Sequence, residues 1–216
     1  MNDNDIEYIV TAIKDISSKR RLVYINYEPA FSLYHGEIRK FQIKEGRQLD
    51  SDSYEEITGE LLPKRAIVRT MNLLQSKDYS ESELYKKLKQ GYYPDGAVNA
   101  AIEYVKSFGY VDDNRYAENY VNFKSGNKSR RQIEQFLNGK GIDKDIINQV
   151  CNDFYSDNED VELNQILDQM RRKLAKQDEL DYNTKMKVMG FFYRKGYSSD
   201  SVKKALDIIS EERYNV

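Results

Sequence analysis

A set of apolar positions that recurs three times at the same internal spacings constrains this chain more than any other feature. With Leu88, Leu137 and Phe192 in register, the residues four earlier are Leu84, Ile133 and Val188. Five later come Tyr93, Ile142 and Tyr197, and ten later Val98, Ile147 and Val202. Fourteen later stand Ile102, Cys151 and Leu206, and seventeen later Val105, Phe154 and Ile209. Every position is apolar or aromatic, Cys151 counting as a small hydrophobe with a thiol. Offsets of four and seven within each arm mark one face of an α-helix. Gly91, Gly141 and Gly196 lie in the joints between the arms, where a helix C-terminus favours glycine.

A further helix precedes each pair. Its stripe is Ile67, Met71 and Leu74 in the first copy and Tyr116, Tyr120 and Phe123 at the same offsets in the second. In the third, after a longer connection, it is Leu163, Ile166, Leu167, Met170 and Leu174. The spacing predicts a mostly α fold of three tandem three-helix units, at 63–111, 112–156 and 157–216, stacked as an elongated array. The acidic stretch Asp157-Asn158-Glu159-Asp160-Val161-Glu162 reads as a solvated linker or as a helix start, where negative charge suits the dipole.

Residues 1–62 follow another rule. Tyr8-Ile9-Val10, Arg21–Tyr27 and Ala30–Tyr34 are rich in β-branched and aromatic residues and predict short antiparallel strands, with a turn at Glu28-Pro29. Ile38, Phe41 and Ile43 suggest a short helix closed by Lys44-Glu45-Gly46-Arg47. Ser51 or Ser53 is expected to cap a longer helix toward Leu61-Leu62, with Pro63 as a break or as the first-turn proline of the next. A small β-containing N-terminal module is the expectation.

Composition excludes several classes. No run approaches the ~18 apolar residues of a membrane span, and the acidic start Met1-Asn2-Asp3-Asn4-Asp5 is unlike a secretory signal, so a cytoplasmic protein is expected. The single cysteine precludes an intramolecular disulfide framework and a multi-cysteine zinc site. Net charge is −2, but it is uneven: residues 64–155 carry 15 Lys/Arg against 12 Asp/Glu, whereas residues 1–63 carry 8 against 12. The middle is therefore the better candidate for an anionic partner.

Catalysis finds no support. His35 is the lone histidine and reads as a surface residue; Cys151 sits on a core position; no phosphate loop is present. Asp112-Asp113 reads as a helix cap rather than a metal site, which would want further carboxylates. No catalytic residue, cofactor or metal is expected. The segment Lys124–Arg131 is either a solvated connection or a phosphate grip, placing Lys124, Lys128, Arg130 and Arg131 near a helix N-terminus. Arg171, Arg172 and Lys173, with Arg194 and Lys195, add candidate contacts in the third unit, against the plainer reading of polar helix faces. Of the 18 tyrosines, Tyr93, Tyr116, Tyr120 and Tyr197 fall on core stripes.

The segment Phe108–Ala117, with its Gly109-Tyr110-Val111-Asp112-Asp113-Asn114-Arg115-Tyr116-Ala117 run, resembles the RecX family of regulatory proteins. So do the residues after it: Val121, Lys124, Ser129-Arg130-Arg131-Gln132-Ile133 and Leu137-Asn138-Gly139-Lys140-Gly141-Ile142. Upstream, Tyr79-Ser80, Glu83-Leu84 and Lys87-Leu88 match the second helix of the preceding unit, and residues 1–63 look like the extra N-terminal region of longer members from Gram-positive bacteria. Tyr92 departs from the pattern by standing at a glycine slot, just after Gly91. The resemblance implies a non-enzymatic protein, expected to be a monomer, that binds the RecA recombinase filament on DNA and inhibits its ATPase and strand-exchange activities or alters filament assembly. A stand-alone helical DNA-binding protein is the alternative, since each unit has short helices around a tight turn.

Overall fold

The computed structural model describes residues 7–158, 160–175 and 180–214. The acidic start Met1–Asp5 and Glu159 of the acidic stretch lie outside them. The chain forms two compact units, divided between Asp112 and Asp113.

In the first unit, β1 (Tyr8–Asp15), β2 (Arg20–Ile25), β3 (Glu28–Tyr34) and β4 (Gln48–Leu49) form an antiparallel sheet of order β3-β2-β1-β4. The turn between β2 and β3 lies at Asn26 and Tyr27, both with positive φ (49° and 72°), and not at Glu28-Pro29. Two left-handed residues give a hairpin turn whose twist matches that of the strands. Asn26 is suited to it: its side chain accepts from the Ile9 N–H at 3.1 Å and donates to the Glu7 carbonyl at 2.8 Å. Pro29 instead sits inside β3, an edge strand, beside a register shift at Val23/Tyr24 that makes its missing donor harmless. β4 was not expected, because two residues are too short to show a period.

The short helix α1 (His35–Lys40) buries Ile38, and Phe41 forms its C-cap. From residue 51 the chain stays helical to Leu74. Asp50, rather than Ser51 or Ser53, caps the start by accepting from the Ser53 N–H at 2.8 Å, a bond that also holds its carboxyl below the usual range. The run passes from α2 (Ser51–Glu55) through a π-helical stretch (Glu56–Leu61) into α3 (Leu62–Leu74). Pro63 therefore does not break it. The wider turn before Pro63 absorbs a residue that lacks an N–H and whose ring would press on the carbonyl four residues back, that of Gly59.

Helices α4 (Glu81–Lys89) and α5 (Asp95–Ser107) complete the first three-helix set. Its core is continuous with that of the sheet: Val23, Phe31, Leu33 and Leu49 pack with Ile57, Leu62, Ala66, Leu88 and Val98. On α3 the inward residues are Leu62, Ala66 and Thr70, with Ile67, Met71 and Leu74 only half-buried alongside. The short Ala66 and Thr70 escape a search for apolar stripes.

In the second unit, α6 (Asp113–Lys124), α7 (Arg130–Gly139) and α8 (Lys144–Asp157) bury Ala117, Val121, Ile133, Leu137, Ile147 and Cys151. Helices α9 (Asp160–Leu174), α10 (Tyr182–Lys195) and α11 (Ser199–Tyr214) bury Ile166, Met170, Val188, Phe192, Val202, Leu206 and Ile209. All the repeated positions are buried except Phe154, which is half-buried. The stripe expected on α6 is displaced toward the small Ala117 and Val121. Tyr116 and Tyr120 are half-buried, Tyr120 stacking flat on Phe136 at 4.1 Å, and Phe123 in the last turn is 75% exposed.

At the three joints the left-handed residues are Tyr92 (φ 59°), Gly141 (76°) and Gly196 (87°). Gly91 is needed for a different reason: a Cβ there would lie 3.0 Å from the Tyr93 ring and 3.1 Å from the Leu88 carbonyl. The Gly91 carbonyl accepts the Ser32 hydroxyl at 2.9 Å, and the Ser32 N–H donates to Tyr92 at 3.3 Å. In the second unit the equivalent joint carbonyl, that of Lys195, accepts the Ser129 hydroxyl at 2.6 Å. The sheet thus gives the first joint what the start of a helix gives the third. Removing the buried Ser32 hydroxyl (Ser32→Ala) leaves the Gly91 carbonyl unsatisfied and should cost about 1–2 kcal/mol in urea-induced unfolding.

Candidate interaction surface

The segment between α6 and α7 is an ordered turn. Ser125 and Ser129 are buried, and the N–H groups of Asn127 and Lys128 both donate to the Lys124 carbonyl at 2.9 Å. Ser129 caps α7 through a reciprocal pair: its hydroxyl accepts from the Gln132 N–H at 3.3 Å, and the Gln132 side chain accepts from its own N–H at 3.2 Å. The same hydroxyl donates across to Lys195. The expected set of free N–H groups at this helix start is therefore partly taken up by the cap.

The four cations of this turn differ in what they do. Arg130 is bound into the fold: Nε meets Glu134 at 2.7 Å, Nη2 donates to Asn152 at 2.6 Å, and the guanidinium lies 5.7 Å from the Tyr155 ring centre. Lys124 rests over the exposed Phe123 ring at 4.3 Å. Lys128 and Arg131 make no ion pair among the described residues, and Arg131 is exposed. The stem of Arg131 packs on the joint glycine, since a Cβ on Gly196 would lie 2.8 Å from the Arg131 Cβ.

The candidates of the third set divide similarly. Arg171 grips Glu212 with two nitrogens, at 2.6 and 3.3 Å, which tethers α9 to α11, lowers the Glu212 carboxyl pKa and raises that of the guanidinium. Arg172 and Arg194 have no ion pair among the described residues, and the Arg194 guanidinium lies back along α10 toward Gly190. Lys173 and Lys195 both place their ammonium groups over the Phe191 ring, at 4.1 and 4.6 Å, and Lys195 also donates to Gln169 at 2.9 Å. The Ser129–Lys195 bond and the Arg131–Gly196 contact thus bring two segments distant in sequence to one seam. Phe191, Gln169 and Ser129 organise this seam; Ser129 belongs to the motif that carries the family resemblance, whereas nothing in the sequence singles out Phe191 or Gln169. Phe191 adjoins the core residue Phe192, so that its own role is masked.

The other sequence candidates fall outside any reactive grouping. His35 is half-buried at the start of α1 rather than a free surface residue. Asp113 is the first residue of α6, with Asp112 just before it. No group of three or more His, Cys, Asp or Glu side chains among the described residues is placed to hold a metal ion. No described helix is long and apolar enough to cross a membrane. Burial pushes the Cys151 thiol up to about 11.

Family models match all three helical sets. The model for the first RecX three-helix domain matches residues 66–104, that for the second residues 112–150, and that for the third residues 160–206. The chain belongs to the RecX family. It is 27% identical over 201 residues to a regulatory protein RecX of Caldanaerobacter subterraneus subsp. tengcongensis, covering 93% of this chain and 98% of the relative. A regulatory protein RecX of Clostridium acetobutylicum is 25% identical over 214 residues, covering 98% and 99%. A crystal structure of a regulatory protein RecX has the same fold, with a TM-score of 0.60 and 22% identity over 94% of this chain and all of that one. A RecX structure from Lactobacillus salivarius gives 0.63 and 19% identity, over 72% of this chain and 98% of that one. RecX proteins are regulators and not enzymes, and this chain is a RecX-family regulatory protein.

Two outcomes are expected from this geometry. Gly196→Ala forces a side chain into a left-handed position against the Arg131 stem and should cost about 1–3 kcal/mol in denaturant-induced unfolding. The raised pKa leaves the Cys151 thiol protonated in the native protein, so at pH 8 iodoacetamide should label it only after denaturant is added.

Proposed function

We propose that this RecX protein binds the RecA recombinase filament on DNA and inhibits its ATP hydrolysis and strand exchange, acting in the cytoplasm as a monomer. Family membership supports the partner. The observation that carries the site is the seam where Arg131, Lys173 and Lys195 gather beside Ser129 and Phe191. Lys128 and Arg131 have no ion pair among the described residues and are available to an anionic partner.

Of the nine basic candidates, Arg130 and Arg171 contribute chiefly to holding helices together through Glu134 and Glu212, and the contact role falls to Lys124, Lys128, Arg131, Arg172, Lys173, Arg194 and Lys195. Tandem helical sets suit a filament, because modest contacts repeated along one ligand add through effective concentration. Each phosphate contact also adds a salt-dependent increment.

Charge reversal at Lys124, Lys128 and Arg131, with Arg130 retained, should weaken inhibition of strand exchange by about tenfold and flatten its salt dependence. Undiminished inhibition by that variant would remove the turn from the site. Comparing binding to bare and to RecA-coated DNA separates filament recognition from plain DNA binding: equal affinity for the two favours the stand-alone DNA-binding reading.

A further inference from the structure

The first compact unit contains a cleft that the family reading does not use. Arg20 at the start of β2, Arg69 on α3 and Lys87 on α4 line it with Gln90, Tyr34 and Tyr93, around a volume of about 440 Å³. Three elements far apart in sequence thus deliver one cation each to a single concave space. The segment that supplies Arg20 carries a net negative charge, so nothing in its composition points to an anion site.

Several cations of this unit are held by acids. Lys40 meets Glu56 at 2.6 Å, Lys64 meets Glu60 at 3.1 Å, Lys89 meets Asp95 at 2.9 Å and Lys106 meets Glu81 at 3.0 Å. Arg65, which lies 4.6 Å over the Tyr34 ring, is neutralised by Glu37. Arg20, Arg69 and Lys87 have no such partner among the described residues. Burial raises the Tyr93 phenol pKa, and the charges of Arg65, Arg20 and Arg69 oppose that rise, which places all three around the phenol. Like charges gathered around one half-open cleft repel one another and create a positive potential in the space between them.

The geometry selects among anions. A carboxylate is planar and is satisfied by one guanidinium fork. Cations supplied by three separate elements, with a phenol and an amide as further polar groups, suit a tetrahedral anion with several charged oxygens. The volume falls within the range of small-ligand pockets, roughly 300–1,000 Å³, and leaves room for a sugar beside a phosphate. We propose that this cleft binds a phosphate group, carried either by a free nucleotide or by the backbone of a single-stranded nucleic acid. The site belongs wholly to the first unit and does not depend on RecA.

The test uses the full chain, without RecA, and the double variant Arg69→Glu/Lys87→Glu. Both side chains are exposed and make no ion pair among the described residues, so an unchanged urea midpoint is the check that the variant folds. Parent and variant are titrated at low salt with a fluorescent ATP analogue, with a labelled oligo(dT) strand and with poly-glutamate. At least one phosphate probe should bind the parent and lose about tenfold in affinity in the variant, with a slope of log affinity against log salt reduced by about 0.7 per lost contact for the strand. Loss with the ATP analogue alone identifies a nucleotide site, and loss with oligo(dT) identifies a backbone site. The proposal is overturned if the parent binds neither phosphate probe, if the variant binds both as the parent does, or if poly-glutamate binding falls by the same factor.

Discussion

Each helical set must reverse direction between its second and third helices within a few residues, or the two apolar arms cannot face each other. The reversal turns on one left-handed residue, at Tyr92, Gly141 or Gly196. Around it the repeat places Leu88, Leu137 or Phe192 one turn before and Tyr93, Ile142 or Tyr197 immediately after, all buried. The joint carbonyl just before the left-handed residue is left without a helical partner, and a buried serine hydroxyl satisfies it at Gly91 and at Lys195. The packing of the arms follows from that small arrangement. Tyr92 shows that glycine is favoured there and not obligatory: the strain of a left-handed tyrosine is offset where the Ser32 backbone holds its carbonyl.

This arrangement gives the N-terminal sheet a structural meaning. End repeats of helical arrays expose a face that the next repeat would cover, and need a cap. In the first compact unit the sheet takes that place, continuing the apolar core through Phe31 and Leu33 and offering Ser32 as Ser129 is offered in the second unit. The same docking brings Arg20 beside Arg69 and Lys87, so the packing that completes the core also creates the cationic cleft.

Basic residues that look equivalent along the chain separate into two kinds in three dimensions. Arg171 presents its planar fork to the Glu212 carboxylate, and Arg130 divides its nitrogens between Glu134 and Asn152, so that both fix helix positions. Lys128, Arg131, Arg172 and Arg194 have no ion pair among the described residues and can meet an anion without breaking the fold. A cluster such as Ser129-Arg130-Arg131 therefore contains adjacent residues of opposite use. One points to Glu134, a helical turn along its own helix, and the other along the seam toward Gly196.

By itself the sequence determined the three helical sets, their joints and the family. The helical period and the repeat spacing are local properties that each arm displays in its own residues. It also determined the β character of the first segment, though not the short β4 or the turn at Asn26-Tyr27. In α3 and α6 only the tertiary structure decided which residues face inward, because Ala66, Thr70 and Ala117 gain their place by being small, whereas the stripe of α9 is buried as its spacing predicts, at Ile166, Leu167, Met170 and Leu174. It alone decided between the two readings of Pro63, which stands in the first turn of α3 after a widened turn rather than at a break. And it alone assembled both cationic surfaces, since Ser129 meets Lys195, and Arg20 and Lys87 come to line one cleft, only after separate elements pack, and charge proximity is a property of that packing and not of chain order.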